Sequence, residues 1–424
     1  VKKILFLAAS YPPYMTDGAS RAYRMASRLP GYGWEPVVVA PPAFVSGEGE
    51  AGSGVAGPVR VYRTGAPVEI GALEACQLAS FARGERIAQG GRLSAVIPTV
   101  FRQAHPSEAW EKQASVVAEE VMKEHPDIEA IYAQGPPSAP LRLGLELSLR
   151  HGVPAMFDLT APLDMARPWS PLSDQHGDEL ARLEQKVLST GYSVITPTRA
   201  LKEHFLRKHF GKVAHDDITI ISDCGPLGPA AASGGPSAVS RPLVIVERAE
   251  EKGLRVFFSA LASLMRESGA GSIFSGATVV DSSGGMVAKQ LRKAGIEGDL
   301  VTCCTPSEEE ELALLRAASA VGVITGGYRS AELWLPGRLI DAAFSRKHLF
   351  TVAPEGVATR FVEECGGSHA RPADREAIGG MLSRLAGVLD GGLQAEVPAE
   401  LLARHGEEET LTELVRSIAM MLPV

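Results

Sequence analysis

Residues 1–42 read VKKILFLAASYPPYMTDGASRAYRMASRLPGYGWEPVVVAPP, and the fold turns on how this stretch is read. Lys2-Lys3 and the apolar run from Ile4 to Ala9 have the charge-then-apolar order of a secretory leader. That run is at the short limit for a leader, and Tyr11-Pro12-Pro13 interrupts it before a cleavage site. A buried first strand ending at a proline loop is the better reading, because a helix and a second strand come directly after it. Thr16-Asp17-Gly18-Ala19-Ser20 forms a loop, and Arg21 to Leu29 carries Ala22, Met25, Ala26 and Leu29 at helical spacing. Pro36 to Ala40 is a second apolar run. Strand, glycine loop, helix and strand in this order make a βαβ unit with a buried parallel sheet.

The alternation continues outward from this unit. Strands are expected at 128–132, 155–157, 193–195 and 218–221, and helices at 117–123, 139–150, 183–188 and 201–209. Residues 43–58, with five Gly and two Glu, read as a mobile surface loop. Residues 225–241, GPLGPAAASGGPSAVSR, carry no charge until the last position and read as a linker. Strands then recur at 243–246, 278–280, 300–303, 321–324 and 349–352, with helices at 254–265, 286–294, 308–318 and 338–344. The domain reading is therefore residues 1–224, a linker over 225–241, and residues 242–400. A C-terminal helical segment, 401–424, is expected to pack back on the first domain. Ligands of such α/β halves bind where strand C-termini meet a crevice.

Composition excludes several classes. The chain has 424 residues, 45% hydrophobic and 22% charged, as in a folded globular protein. Lys and Arg total 42 against 50 Asp and Glu, and a net charge of −8 disfavours nucleic acid as a partner. No apolar run approaches the ~20 residues of a bilayer span. The cysteines Cys76, Cys224, Cys303, Cys304 and Cys365 are odd in number and lack C-x-x-C spacing, so buried thiols in a reducing cytosol are expected. Neither H-x-x-x-H nor H-E-x-x-H occurs, and no metal site is expected.

Chemistry-bearing residues cluster near expected strand ends. Gly18 opens a helix after the first strand, where backbone N–H groups can approach an anion, although a plain turn glycine reads the same way. Arg248 and Lys252 follow the strand 243–246 and suit a diphosphate, or belong to a solvated charge run with Glu247, Glu250 and Glu251. Thr325 to Phe344, TGGYRSAELWLPGRLIDAAF, offers Gly326 and Gly327 directly after a strand, then a helix start with Arg338 and Asp341. Loop amides with one carboxylate suit a sugar or ribose hydroxyl beside a phosphate, or Asp341 simply complements the helix dipole. Asp158 follows the strand 155–157 and is a candidate for orienting an acceptor hydroxyl or moving its proton, or it caps a turn. The helix Arg199 to Lys212, RALKEHFLRKHFGK, is basic and amphipathic and suits an anionic membrane surface or a core-packed surface position.

Taken in order, these segments resemble the bacterial family 4-like glycosyltransferases of the GT-B fold. The opening 42 residues are similar to that family's strand, proline pair, glycine loop, helix and second strand. HPSEAW, from His105 to Trp110, resembles a segment of one subgroup, as does IYAQGPPSAPLRLGLELSLRHGVPAMFDL. LEQKVLSTGYSVITPTRALKEHFLRKH, VERAEEKGLRVFFSALASL and LPGRLIDAAF resemble its later motifs. The resemblance implies an α/β protein of GT-B architecture, two Rossmann-like parallel-sheet domains facing a central cleft. It implies that Gly18, Arg248, Lys252, Gly326 and Gly327 bind the donor diphosphate and that Asp341 and Arg338 bind ribose or sugar. Cys303, Cys304 and Thr305 would present main-chain atoms to the base, and Asp158 and Glu332 stand at catalytic positions.

Some family features differ. Where the subgroup has D-F-R-D-P-W, this chain reads Asp158-Leu159-Thr160-Ala161-Pro162-Leu163, and Glu332 and Asp341 are separated by eight intervening residues where the family has the seven of an E-x7-E pair. The activity implied is a retaining, metal-independent transfer of a sugar from a nucleotide-diphosphate donor to a glycan or lipid-linked acceptor. It would need no cofactor and would serve cell-envelope polysaccharide synthesis in the cytoplasm, with peripheral membrane contact. The departures leave an alternative, a degenerate GT-B protein that binds nucleotide, glycan or a partner without transfer. A sugar-nucleotide 2-epimerase on the same fold would need a carboxylate-rich site that the sequence does not display.

Overall fold

Strands buried on both faces read as unbroken apolar runs, and that is how the first strand behaves: Ile4, Leu5, Phe6 and Leu7 are all fully buried. The computed structural model describes residues 1–12, 19–42, 55–56, 59–65, 106–165, 174–190, 193–226, 241–247, 249–268, 277–281, 286–296, 301–304, 308–326, 330–391 and 395–422. The chain divides into two units, Val1–Ser222 with Thr410–Val424, and Asp223–Glu409.

In chain order the first unit contains β1 (Lys2–Leu7), α1 (Ala19–Arg28), β2 (Trp34–Ala40), β3 (Val55–Ala56), β4 (Val59–Arg63) and α2 (Pro106–Glu124). It continues with β5 (Ile128–Gly135), α3 (Ser138–His151), β6 (Ala155–Leu159), α4 (Asp174–Leu188), β7 (Ser193–Thr196), α5 (Arg199–Lys208) and β8 (Ile218–Ile220). The strand order is β3-β4-β2-β1-β5-β6-β7-β8, parallel throughout except for the antiparallel β3–β4 pair. The order reverses between β1 and β5, which makes a topological switch point beside the end of β1.

The second unit contains β9 (Leu243–Val246), α6 (Glu251–Ser268), β10 (Ala277–Asp281), α7 (Met286–Ala294), β11 (Val301–Cys304), α8 (Glu308–Ala317) and β12 (Ala320–Ile324). Then come α9 (Gly337–Phe344), β13 (His348–Val352), α10 (Val357–Glu364), β14 (Ser368–Ala370), α11 (Arg375–Asp390), α12 (Ala399–Arg404) and α13 (Glu407–Met421), the last continuing into the segment that belongs to the first unit. Its sheet, β11-β10-β9-β12-β13-β14, is parallel throughout and reverses between β9 and β12. The period-2 alternation of β9 divides its residues between two cores: Val244 and Val246 pack with Phe257, Phe350 and Met381, whereas Leu243 and Ile245 pack with Leu339, Ile340 and Phe361.

The structure corrects the sequence reading at three places. The described part of 43–58 includes the strand Val55–Ala56, and β4, which sequence reading did not identify, comes directly after it. Its residues alternate between buried Val59 and Val61 and exposed Arg60, so it lacks the continuous apolar run that marks the central strands. The basic helix stops at Lys208, where His209 N–H bonds back to the Phe205 carbonyl at 2.9 Å, short of the expected Lys212. Cys224 and Cys365 are buried free thiols, and burial pushes the Cys365 thiol up to about 12. Among the described residues, no helix is long and apolar enough to cross a membrane.

Candidate functional site

The second sheet supplies the clearest gathering of expected site residues. At its switch point, Glu247 prolongs β9 by one hydrogen bond, donating its N–H to the Ile324 carbonyl at 3.0 Å. Thr325 N–H donates to the Val352 carbonyl at 2.9 Å, so the chain leaves β12 in register with β13. Gly326 comes next with φ +126°, and a β-carbon there would lie 3.0 Å from both Pro354 and Pro372. Only glycine takes that backbone conformation without strain. Pro354 follows β13, Pro372 follows β14, and Pro372 also faces Gly253 in the first turn of α6. The ends of β12, β13 and β14 and the start of α6 thus converge on one edge of the sheet.

Lys252 is the second residue of α6 and is exposed at this edge. Glu251 beside it is held below the usual carboxylate range by hydrogen bonding from Lys289 and then from Gln290. Glu332 is exposed on the short turn Ala331–Leu333, whose backbone meets Gly356 at the start of α10 so closely that no β-carbon would fit there. Asp341 lies in the second turn of α9, not the first as expected, and is only 5% exposed. Cys303 and Cys304 end the edge strand β11, paired with Val279 and Val280. Gly18, Arg248, Gly327 and Thr305 lie outside the described residues.

Arg338, expected at a ribose or sugar, has its guanidinium between two carboxylates. Its Nε and Nη2 fork the Glu311 carboxylate of α8 at 2.7 and 3.3 Å, and its Nη1 lies 2.5 Å from Glu247 Oε1. The guanidinium therefore joins α9 to α8 and to the end of β9.

Asp158 is the fourth residue of β6, within a strand that runs two residues past the expected end. It is fully buried, and Arg21 of α1 grips it with Nε at 2.6 Å from Oδ2 and Nη2 at 3.2 Å from Oδ1. The Tyr132 hydroxyl of β5 also donates to Oδ2, and its ring stacks on Phe6 at 4.3 Å. A carboxylate bound on both oxygens anchors α1 against the sheet at the first unit's switch point. Arg21, Tyr132 and Glu311 were not singled out in the sequence, and Glu247, there considered as part of a solvated charge run, is 2% exposed. Arg21, Arg24 and Arg28 are nearly fully buried on α1 at helical spacing, a basic stripe that was the available signal.

The basic helix α5 is tied inward as well as exposed. Lys208 meets Asp164 at 2.6 Å and Glu184 at 2.7 Å, while Arg199 pairs with Glu203 at 2.8 Å. Phe210 beyond its end is 88% exposed.

No protein-family model matches the chain, and no curated protein matches it in sequence. Solved structures do match. Sucrose-phosphate synthase from Thermosynechococcus elongatus superposes with a TM-score of 0.62 at 13% identity, covering 100% of this chain and 95% of that one. HepE of Anabaena, in complex with UDP and glucose, gives a TM-score of 0.60 at 14% identity over 99% of this chain and 100% of its own. TarM of S. aureus, in complex with fondaparinux, α-GlcNAc-glycerol and UDP, gives 0.63 at 10% identity over 99% and 100%. Agreement over whole chains at such low identity, together with two mainly parallel sheets each reversing beside its first strand, shows that this chain has the GT-B fold.

Proposed function

We propose that the protein is a metal-independent, retaining glycosyltransferase that uses a nucleotide-diphosphate sugar. One observation carries this reading: the second sheet reverses between β9 and β12, and the segments leaving those strands bear the Arg248–Lys252 loop and Gly326. A crevice of this kind is where parallel α/β sheets take their ligands. Arg248 and Lys252 hold the diphosphate and stabilise the charge it gains as the anomeric carbon–oxygen bond breaks. The acceptor oxygen forms the new bond on the same face of the sugar, and its proton passes to the departing phosphate oxygen. Asp341 takes the ribose hydroxyls, and main-chain atoms at Cys303 to Thr305 meet the base. Glu332 lies beside the reacting sugar. HepE has been solved with UDP-glucose and TarM with UDP and α-GlcNAc-glycerol, which supports a uridine donor and a glycan acceptor as the first pair to try.

The test is a thermal-shift panel of UDP, GDP, ADP, TDP and their sugars, with and without magnesium. A ligand at 100 times its Kd should add about 2.7 kcal/mol of stability. A selective shift that survives EDTA is expected. Arg248→Ala and Lys252→Ala should each weaken donor binding by about 1.5–3 kcal/mol, the range for a hydrogen bond to a charged group, and lower kcat as well. Wild-type donor kinetics in both variants would sink the assignment.

A second reading, nucleotide binding without transfer, is favoured by the burial of Asp158 against Arg21 and Tyr132. It predicts the same thermal shifts with no sugar moved from a radiolabelled donor to any acceptor tried.

A further inference from the structure

The ion triad Glu247–Arg338–Glu311 has an electrostatic consequence for the edge of the second sheet. Glu247 is 2% exposed and is the residue immediately before Arg248 in the loop after β9. An ionised carboxylate there, close to the loop expected to meet a diphosphate, opposes any anionic ligand unless a cation offsets it. Arg338 Nη1, 2.5 Å away, is that cation. Its orientation is set from the other side by Glu311, which takes Nε and Nη2 in a fork and is itself 12% exposed in its side chain. Glu247 and Arg338, 91 positions apart in the chain, belong to different segments of the same edge: the β9–α6 loop and the start of α9, which also carries Asp341.

We propose that Arg338 is a positioning and charge-neutralising residue for the nucleoside-diphosphate site, acting through Glu247 and without touching the ligand. It locks Glu247, the residue after β9, to the helix bearing Asp341, and it offsets the Glu247 charge that would otherwise add to the repulsion of the diphosphate, leaving the triad at a net charge of −1. This inference rests on the nucleotide-sugar reading above and deepens it. It differs from a direct ribose contact because the guanidinium is already shared between two carboxylates, and because its function depends on the charge of Glu247.

The rescue experiment separates the two roles. Isothermal titration of the full chain with UDP, GDP, ADP and TDP first establishes which nucleotide the wild-type protein binds. Arg338→Gln is expected to raise the Kd for that nucleotide about tenfold or more, because the Glu247 carboxylate loses the guanidinium charge 2.5 Å from it. The double variant Glu247→Gln with Arg338→Gln should return the Kd to within about threefold of wild type, since the repelling charge is removed together with its counter-ion. If Arg338→Gln does not fold, Arg338→Lys takes its place: a point charge reaches one carboxylate and not both, and the Kd should rise by about threefold. Adding Glu247→Gln to the lysine variant should reduce that loss.

A direct ribose contact by Arg338 predicts no recovery on removing the Glu247 charge, and that result overturns the inference. Unchanged affinity in Arg338→Gln overturns it as well. If the wild-type chain binds none of the four nucleotides, the nucleotide-sugar reading falls and the role of Arg338 falls with it. Binding by wild type without rescue in the double variant defeats the role of Arg338 alone.

Discussion

Arg21→Ala is expected to lower the unfolding free energy by about 3–5 kcal/mol, the cost of leaving one member of a buried ion pair without its partner. Arg21 and Asp158 are 4% and 0% exposed, so solvent does not screen their attraction and cannot rehydrate the carboxylate when the guanidinium is lost. The geometry is bidentate, with contacts of 2.6 and 3.2 Å, and the Tyr132 hydroxyl fills a further acceptor site on the same carboxylate. Asp158→Asn should cost a similar amount, because Arg21 then stays charged and buried beside a neutral amide. Replacing the group as a whole, with Arg21→Met, Asp158→Leu and Tyr132→Phe together, should recover stability to within about 2 kcal/mol of wild type, since an apolar set has no desolvation cost. Urea denaturation tracked by tryptophan fluorescence reads the effect. Of the four tryptophans, Trp34, Trp110 and Trp169 fall in the stretch of sequence assigned to the first unit and Trp334 in that of the second, so the lost stability should appear chiefly in the signal of the first three. A loss below about 1 kcal/mol for Arg21→Ala would show that the pair is solvated in solution, as exposed pairs are.

Gly322→Ala is the second large effect, with an expected loss of about 3 kcal/mol, the upper end of the usual cost of overpacking. Gly322 is the middle residue of β12 and stands directly opposite Phe350 on β13. A β-carbon at Gly322 would overlap Phe350 Cζ, Cε2 and Cε1. The ring has no free space to enter, because Phe350 is fully buried in the core that holds Val244, Phe257, Ile324 and Met381. The strand itself is held by Val244 on its other side, so its backbone cannot retreat without breaking the ladder to β9. Phe350→Leu is expected to cost stability alone, yet to reduce the penalty of Gly322→Ala when the two are combined. Additive losses in the double variant would show that the ring does not decide the glycine. Because β12 leads into Thr325 and Gly326, donor binding should weaken in step with stability in Gly322→Ala.

Much of the fold was legible because of how central parallel strands are built. Leu243 to Val246 and Val321 to Ile324 are covered on both faces, so each is apolar at every position or broken only by glycine, and the expected limits match closely. Strand β4 was not legible for the same reason turned around: beside the sheet's end it alternates buried Val59 and Val61 with exposed Arg60 and lies in a stretch rich in turn residues. The candidate site was legible only in part. Gly326 was expected after a strand and is found there at φ +126°. Arg338 and Asp158 were singled out as chemistry-bearing residues, but the ion pairs that hold them, with Glu311 and Glu247 and with Arg21, were not legible.

By itself, then, the sequence determined the alternation of strand and helix and the division into two α/β units. Those properties are written in local periodicity, over windows of a few turns or a single strand. Only the tertiary structure decided which charges meet. Arg21 and Asp158 are 137 residues apart, and Arg338 reaches Glu311 over 27 and Glu247 over 91. No local pattern encodes such pairs, because they form when a helix is laid against a strand or another helix from a different part of the chain. Burial then makes each pairing obligatory, since a guanidinium or carboxylate cut off from water must find its partner inside the protein.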